Sequence, residues 1–165
     1  DNFSDKINIT IFRPSTVHGD SARMRFDLIV NHLVLDAIKK SEIVLLGPKM
    51  WRPLMWVGEP AKVFYDTISA DPEKVKSQIF NLGANTENFQ KIDIANIIQR
   101  TLGDKLKVEI IDKDPDLRSY RVDFSKIEKT LNYKPQKSLT EVIDELVFSV
   151  KNNLYTNPEL NIYRN

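Results

Sequence analysis

Ile7-Asn8-Ile9-Thr10-Ile11-Phe12-Arg13-Pro14-Ser15-Thr16-Val17-His18-Gly19 is the stretch that decides the fold. Isoleucines at 7, 9 and 11 alternate with Asn8 and Thr10, the period of a strand with one buried face. Proline has no backbone N–H to give a ladder, so Arg13-Pro14 ends the strand. From Ser15 to Arg25 the chain is polar and contains Gly19 and Asp20, which predicts a loop. The period then changes. Phe26, Ile29, Val30, Leu33, Val34, Ala37 and Ile38 follow i, i+3, i+4, i+7, which predicts an amphipathic helix. Lys39 and Lys40 close it where cations favour the helix dipole. Strand, loop and helix in this order make the chain α/β.

Working outward, Ile43 to Leu46 predicts a short buried strand stopped by Gly47-Pro48, and Trp51 to Val57 a second one. Pro60 suits the first turn of a helix running to about Ala70, with Ala61, Phe64 and Ile68 as its inner stripe. Ile79, Phe80 and Leu82 form a strand before Gly83. Ile94, Ala95, Ile98 and Leu102 mark a helix that Gly103 stops. Lys107 to Ile111 is a strand, and Asp112 to Asp116 a charged loop. Ser125 with Glu128, and Ser138 with Glu141, have capping-box spacing and open two more helices. The last helix buries Leu139, Val142, Ile143, Leu146, Val147 and Val150. After Asn152 the tail is polar with scattered Tyr and Leu. Connections have mixed lengths, and no run of regular βα units closes a sheet by itself.

Composition narrows the function. The chain has 165 residues, 41% hydrophobic and 28% charged, as expected of one soluble globular domain. With 24 basic against 23 acidic side chains, nothing in the charge balance points to nucleic acid or an anionic membrane. The absence of cysteine excludes disulfides and thiol chemistry. No apolar run approaches the ~20 residues that span a bilayer. The polar start, Asp1 to Lys6, does not resemble a signal peptide, so a cytoplasmic protein is expected. The absence of an initial Met, with a strand following almost at once, suggests a fragment or, equally, a processed N-terminus.

The residues alone offer little chemistry. There is no G-x-G-x-x-G after a strand and no P-loop. His18 and His32 are not at metal-binding spacing. His32, on the helix beside its apolar stripe, is expected to be structural. His18 lies in the loop after the first strand, a normal ligand position in α/β folds, although a catalytic role is not expected. Arg52 and Arg118 carry planar forks suited to phosphate oxygens. Each also suits a local carboxylate, such as Asp116 for Arg118, and from composition alone that pairing is the expected role. The loop carboxylates Asp71, Glu73, Asp112, Asp114 and Asp116 read as a solvated face.

Several segments in order carry a resemblance. They are Ile9 to Gly19, Arg23 to Asn31, Trp51-Arg52-Pro53-Leu54, Phe80-Asn81-Leu82-Gly83 and Arg118 to Ile127. Together they resemble the extended short-chain dehydrogenase/reductase family, and within it the NAD-dependent nucleotide-sugar epimerases and dehydratases. The likeness runs from about Ile7 to about Val150 and is to the C-terminal half. It implies the last strands of a Rossmann sheet plus the small mixed α/β substrate-binding domain. Residues 1–151 would form this half and residues 152–165 a tail.

The resemblance implies roles. Pro14 and Ser15 would lie beside the nicotinamide of NAD or NADP, which the N-terminal half mainly binds. Thr16 stands where many members carry an Asn that contacts the nucleotide sugar. Phe26, Asp27 and Leu28 resemble the segment that holds base and phosphates, and Val44 and Leu46 the strand flanking the base. Arg52 and Arg118 match the pair that grips the diphosphate. After Leu54 the run Met55 to Pro60 departs from the family's usual His and Arg-Asp. The resemblance places the catalytic Tyr-x-x-x-Lys in the N-terminal half: Tyr65, Tyr120, Tyr155 and Tyr163 lack a Lys four residues on, and Tyr133, which has Lys137 at that spacing, follows the last of the matching segments and is not taken as the catalytic Tyr. The implied partners are a nucleotide-diphosphate sugar and the absent N-terminal half. Self-association through the seam where that half belongs is also expected. Turnover by this chain alone is not expected. Two rival functions stay open: a non-catalytic binding or regulatory module, and part of an NADP-dependent carbonyl reductase of the same superfamily.

Overall fold

The computed structural model describes residues 7–155, 157–158 and 160–163. The polar run Asp1 to Lys6 lies outside the described residues. The chain forms β1 (Thr10–Pro14), β2 (Thr16–His18), α1 (Ile29–Lys40), β3 (Glu42–Leu46), β4 (Trp51–Trp56), α2 (Glu59–Ile68), α3 (Pro72–Val75) and β5 (Gln78–Leu82). There follow β6 (Asn88–Gln90), α4 (Lys91–Leu102), β7 (Lys107–Ile111), α5 (Ser125–Leu131) and α6 (Leu139–Lys151). Among the described residues the strands make three small sheets, β1-β5, β2-β4-β6 and β3-β7. Only β4 and β6 pair antiparallel.

Two apolar cores hold these pieces. The first joins α1, α4 and α6 to β3, with Val30, Ile43, Ile94, Ile98, Val142 and Leu146 essentially buried. All six residues expected on the inner face of α6 are buried. The second core packs Met55, Val63, Phe80, Leu82, Phe124, Ile127 and Tyr133. At ~25 cal/mol per Å² of apolar surface removed from water, each fully buried side chain contributes roughly 2 kcal/mol before entropy is subtracted.

The structure corrects several expectations. The Ile face of the first strand is open, with Ile7, Ile9 and Ile11 56%, 45% and 48% exposed. The other face, with Phe12 stacked on Phe80 at 5.8 Å, meets the second core. Alternation fixes that two faces differ, but not which neighbour covers either one. Ile11 sits beside Ile79, itself 41% exposed, so the outward face is an apolar ladder across β1 and β5. The helix α2 is turned likewise. It buries Val63, while Phe64 and Ile68 are exposed and Phe64 leans on Phe12 at 5.3 Å.

Ser15 to Arg25 is not all loop: Thr16–His18 forms β2, paired in parallel with Leu54–Trp56 of β4. Helix α1 begins at Ile29, because Leu28 is extended and caps it, so Phe26 to Leu28 precede the helix. The box at Ser138 is real, with Ser138 N–H donating to Glu141 at 2.8 Å and Glu141 N–H to Ser138 Oγ at 3.3 Å. The one at Ser125 is not. Its hydroxyl donates to Asp123 at 2.6 Å, and Glu128 instead accepts the Asn85 backbone N–H at 2.8 Å.

The described part of the tail docks. Phe26 N–H donates to the Tyr163 carbonyl at 2.9 Å, and the Tyr155 and Tyr163 rings meet the Phe26 ring edge-on at 5.2 and 5.7 Å. Such aromatic contacts add about 0.5–1.5 kcal/mol each beyond area burial. Behind α2 lies a buried acidic corner. Glu59 is 1% exposed and accepts the Gln136 N–H at 2.6 Å, with Glu87 and Tyr133 nearby. Burial and the Glu59 charge push the Glu87 carboxyl up to about 7.

Candidate functional site

A cavity of about 410 Å³ opens between the start of α1, strands β3 and β4, and the loop after β7. Arg52 comes from β4 and is almost buried, with its guanidinium already partly used. Nη1 donates to the Trp51 carbonyl at 2.9 Å and to the Arg118 carbonyl, and Nη2 to Asp116 at 3.2 Å. Arg118 is mostly exposed and forks onto the same carboxylate, through Nε and Nη2, both at 2.7 Å. These bonds, the Arg118 side chain's first, hold the Asp116 carboxyl far below the usual carboxylate range. The loop is tied to β4 by Trp51 N–H donating to Ser119 Oγ at 3.1 Å and by Tyr120 N–H donating to the Trp51 carbonyl at 3.4 Å.

Lys91 and Asp114 form the deeper wall. Their side chains are 10% and 4% exposed and ion-paired. Lys91 Nζ also donates to the Leu46 carbonyl at 3.3 Å, and Asp114 accepts the Asp116 N–H at 2.8 Å. Burial pushes the Asp114 carboxyl upward, but the hydrogen bonds from Lys91 and the Asp116 N–H outweigh it and leave it below the usual range. Gly47 permits this approach. Its φ is +58°, and a Cβ there would lie 2.9 Å from the Asp114 Cβ.

Of the residues singled out by sequence, Thr16, Asp27, Leu28, Val44, Leu46, Arg52 and Arg118 all line this cavity. Val44, expected to be buried, is 45% exposed because it faces the opening. Phe26 does not line it. Its side chain is fully buried behind the wall, and its N–H is taken by Tyr163. Pro14 and Ser15 also lie elsewhere, at the C-terminal end of β1. There the Ser15 N–H and hydroxyl both donate to the Leu82 carbonyl, at 2.9 and 3.0 Å.

Sequence reasoning missed Lys91, and Asp114 and Asp116 are no solvated face. The signal was present. Lys91 stands on the stripe Ile94, Ala95 and Ile98 of its own helix, and a cation on an apolar stripe calls for a buried anion. His18 ends β2 rather than lying in a loop. It is 2% exposed, and among the described residues neither ring nitrogen has a hydrogen-bond partner. Burial pushes its pKa down to about 4, so the ring is a neutral packing group at pH 7. His32 lines the cavity and lies 3.6 Å from Asp36.

No family model matches the chain. Solved structures do. A UDP-glucuronic acid 4-epimerase from Bacillus cereus, in complex with UDP-glucuronic acid and NAD, matches with TM-score 0.75 and 20% identity, over 90% of this chain and 46% of that one. A UDP-glucose 4-epimerase from Thermotoga maritima, with UDP-glucose, matches with TM-score 0.76 and 16% identity, over 93% and 50%. A dTDP-glucose 4,6-dehydratase from Bacillus anthracis, in complex with NAD, matches with TM-score 0.69 and 17% identity, over 89% and 46%. This chain has the fold of one half of such an enzyme. The match to the C-terminal half of the epimerase/dehydratase fold agrees with the order of the sequence motifs, and the chain spans about half the length of these structures. Among the described residues, no helix is long and apolar enough to cross a membrane.

Proposed function

We propose that this chain is the substrate-binding part of an NAD(P)-dependent nucleotide-sugar epimerase or dehydratase. Its cavity receives the nucleotide diphosphate. The observation that carries this reading is the meeting of Arg52 and Arg118, 66 positions apart, on one carboxylate at the cavity wall. Two guanidiniums converging on a single acceptor suit a group rich in anionic oxygens. Val44, Leu46 and Leu28 offer an apolar surface for a base, and Thr16 and Asp27 offer polar groups for a sugar.

When bound, NAD supplies reversible hydride acceptance. The residues present fit only its margin. Pro14 and Ser15 stand at the exposed end of β1, and the sequence holds no glycine-rich strand-to-helix turn to cradle a pyrophosphate. The one Tyr-x-x-x-Lys spacing, Tyr133 to Lys137, is used for packing: Tyr133 is buried in the second core, and Lys137 pairs with Glu145 at 2.5 Å and lies over the Trp56 ring. This chain's part is therefore to bind and orient. The open apolar ladder of Ile9, Ile11 and Ile79 supports a covering layer supplied by a cofactor-binding half. Calorimetric titration with UDP-, dTDP- and GDP-sugars tests the proposal. Saturable heat with one of them, lost in Arg52→Met, is expected. A folded sample giving no heat with any of them refutes it.

A further inference from the structure

The carboxylate between the two arginines is itself the feature to explain. Asp116 Oδ1 accepts the Arg118 backbone N–H at 3.1 Å and Nε at 2.7 Å, while Oδ2 accepts Arg118 Nη2 at 2.7 Å and Arg52 Nη2 at 3.2 Å. One anion thus takes four donors, three of them from guanidiniums. A phosphate oxygen pair would use the same fork. The Asp116 side chain is 36% exposed, so it has a direct route to solvent. The neighbouring anchor is separate. Asp114 is locked on Lys91, so the loop stays fastened if Asp116 alone turns outward. Water lies within reach of that rotation, and the nearly buried Arg52 keeps a counter-charge when the entering anion takes the carboxylate's place.

We propose that Asp116 is the internal counter-anion of the site, holding the place of a ligand phosphate between Arg52 and Arg118. Binding there is an exchange of anions. The diphosphate enters, the Asp116 carboxylate swings into solvent, and no covalent bond changes. A ligand that reaches only one guanidinium leaves Asp116 in place, so the carboxylate sets a threshold that favours groups engaging both. This rests on the reading that the two arginines receive a diphosphate.

The test compares the wild-type chain with Asp116→Asn and Asp116→Ala, titrated by calorimetry with UDP and with inorganic pyrophosphate. Circular dichroism melting checks each variant's fold. Removing the competitor is expected to tighten both probes at least fivefold in each variant that folds. If the wild type binds and the variants bind equally or more weakly, Asp116 only positions the arginines and the proposal is wrong, while the diphosphate reading stands. If neither wild type nor variant binds either probe, both fall. Binding seen only in the variants supports the exchange most strongly.

Discussion

Replacing Lys91 with Met strands the Asp114 carboxylate in a wall where its side chain is 4% exposed. The thioether fills most of the lysine stem's volume, so the change is chiefly one of charge. Breaking a buried pair by removing one partner costs about 3–5 kcal/mol, because the remaining charge is uncompensated. Here the cavity mouth lets water approach, and the Asp116 N–H still donates to Asp114 at 2.8 Å. The expected loss is therefore smaller, about 2–3 kcal/mol at pH 7. Urea unfolding followed by circular dichroism measures it. The pH dependence carries the sign. In the wild type, the Asp114 pKa is depressed by folding, so its stabilisation is present above the unfolded value and fades as pH falls through the folded one. In Lys91→Met the stranded carboxyl is relieved by protonation, so the gap between variant and wild type must shrink toward pH 4. A loss under about 0.5 kcal/mol at pH 7 would refute the reasoning, since that is the range of an ordinary surface substitution. So would a gap that widens on acidification.

Two further predictions concern other parts of the molecule. Glu87 has its pKa raised from 4.5 to about 7, so it lowers stability progressively as pH climbs through that window. At about 1.4 kcal/mol per pH unit the full penalty is roughly 3 kcal/mol, and partial solvent screening reduces it to about 2 kcal/mol. Glu87→Gln should be more stable than wild type at pH 8 by about that amount and indistinguishable at pH 4.5, as urea midpoints at the two pH values will show. On the open face of β1, Ile11→Lys with Ile79→Glu should change stability by less than about 0.5 kcal/mol. The pair should shift any self-associated species toward monomer in light scattering, because it breaks the exposed apolar ladder.

Much of the fold was legible in the sequence because its signals are local. Periodicity located α1, α4 and α6, and the Ser138 box fixed where α6 begins. Faces were harder. The stripe of α2 and the Ile alternation of β1 are sound patterns, yet both apolar sides turned outward, since a pattern does not identify its neighbour. The box at Ser125 failed because Asp123 competes for the hydroxyl and Asn85 for the glutamate, contacts 2 and 43 positions away. The cavity was legible through ordered motifs rather than physics. Composition alone favoured a local carboxylate over a ligand for Arg52 and Arg118, and the structure shows Asp116 in possession. Lys91 and Asp114 needed the third dimension, although the position of Lys91 on an apolar stripe was a usable clue.

Strand β4 has a consequence for how the molecule carries load. Leu54 belongs to the first core and Met55 to the second, and both are almost fully buried. Adjacent residues of a strand point to opposite faces, so β4 is a party wall between two separately packed rooms. Arg52 is set in that wall two residues before Leu54. A strain introduced on either side, however far from the cavity, has a short path to the guanidinium. The arginine proposed to bind the ligand therefore doubles as a gauge of how the two cores are seated against each other.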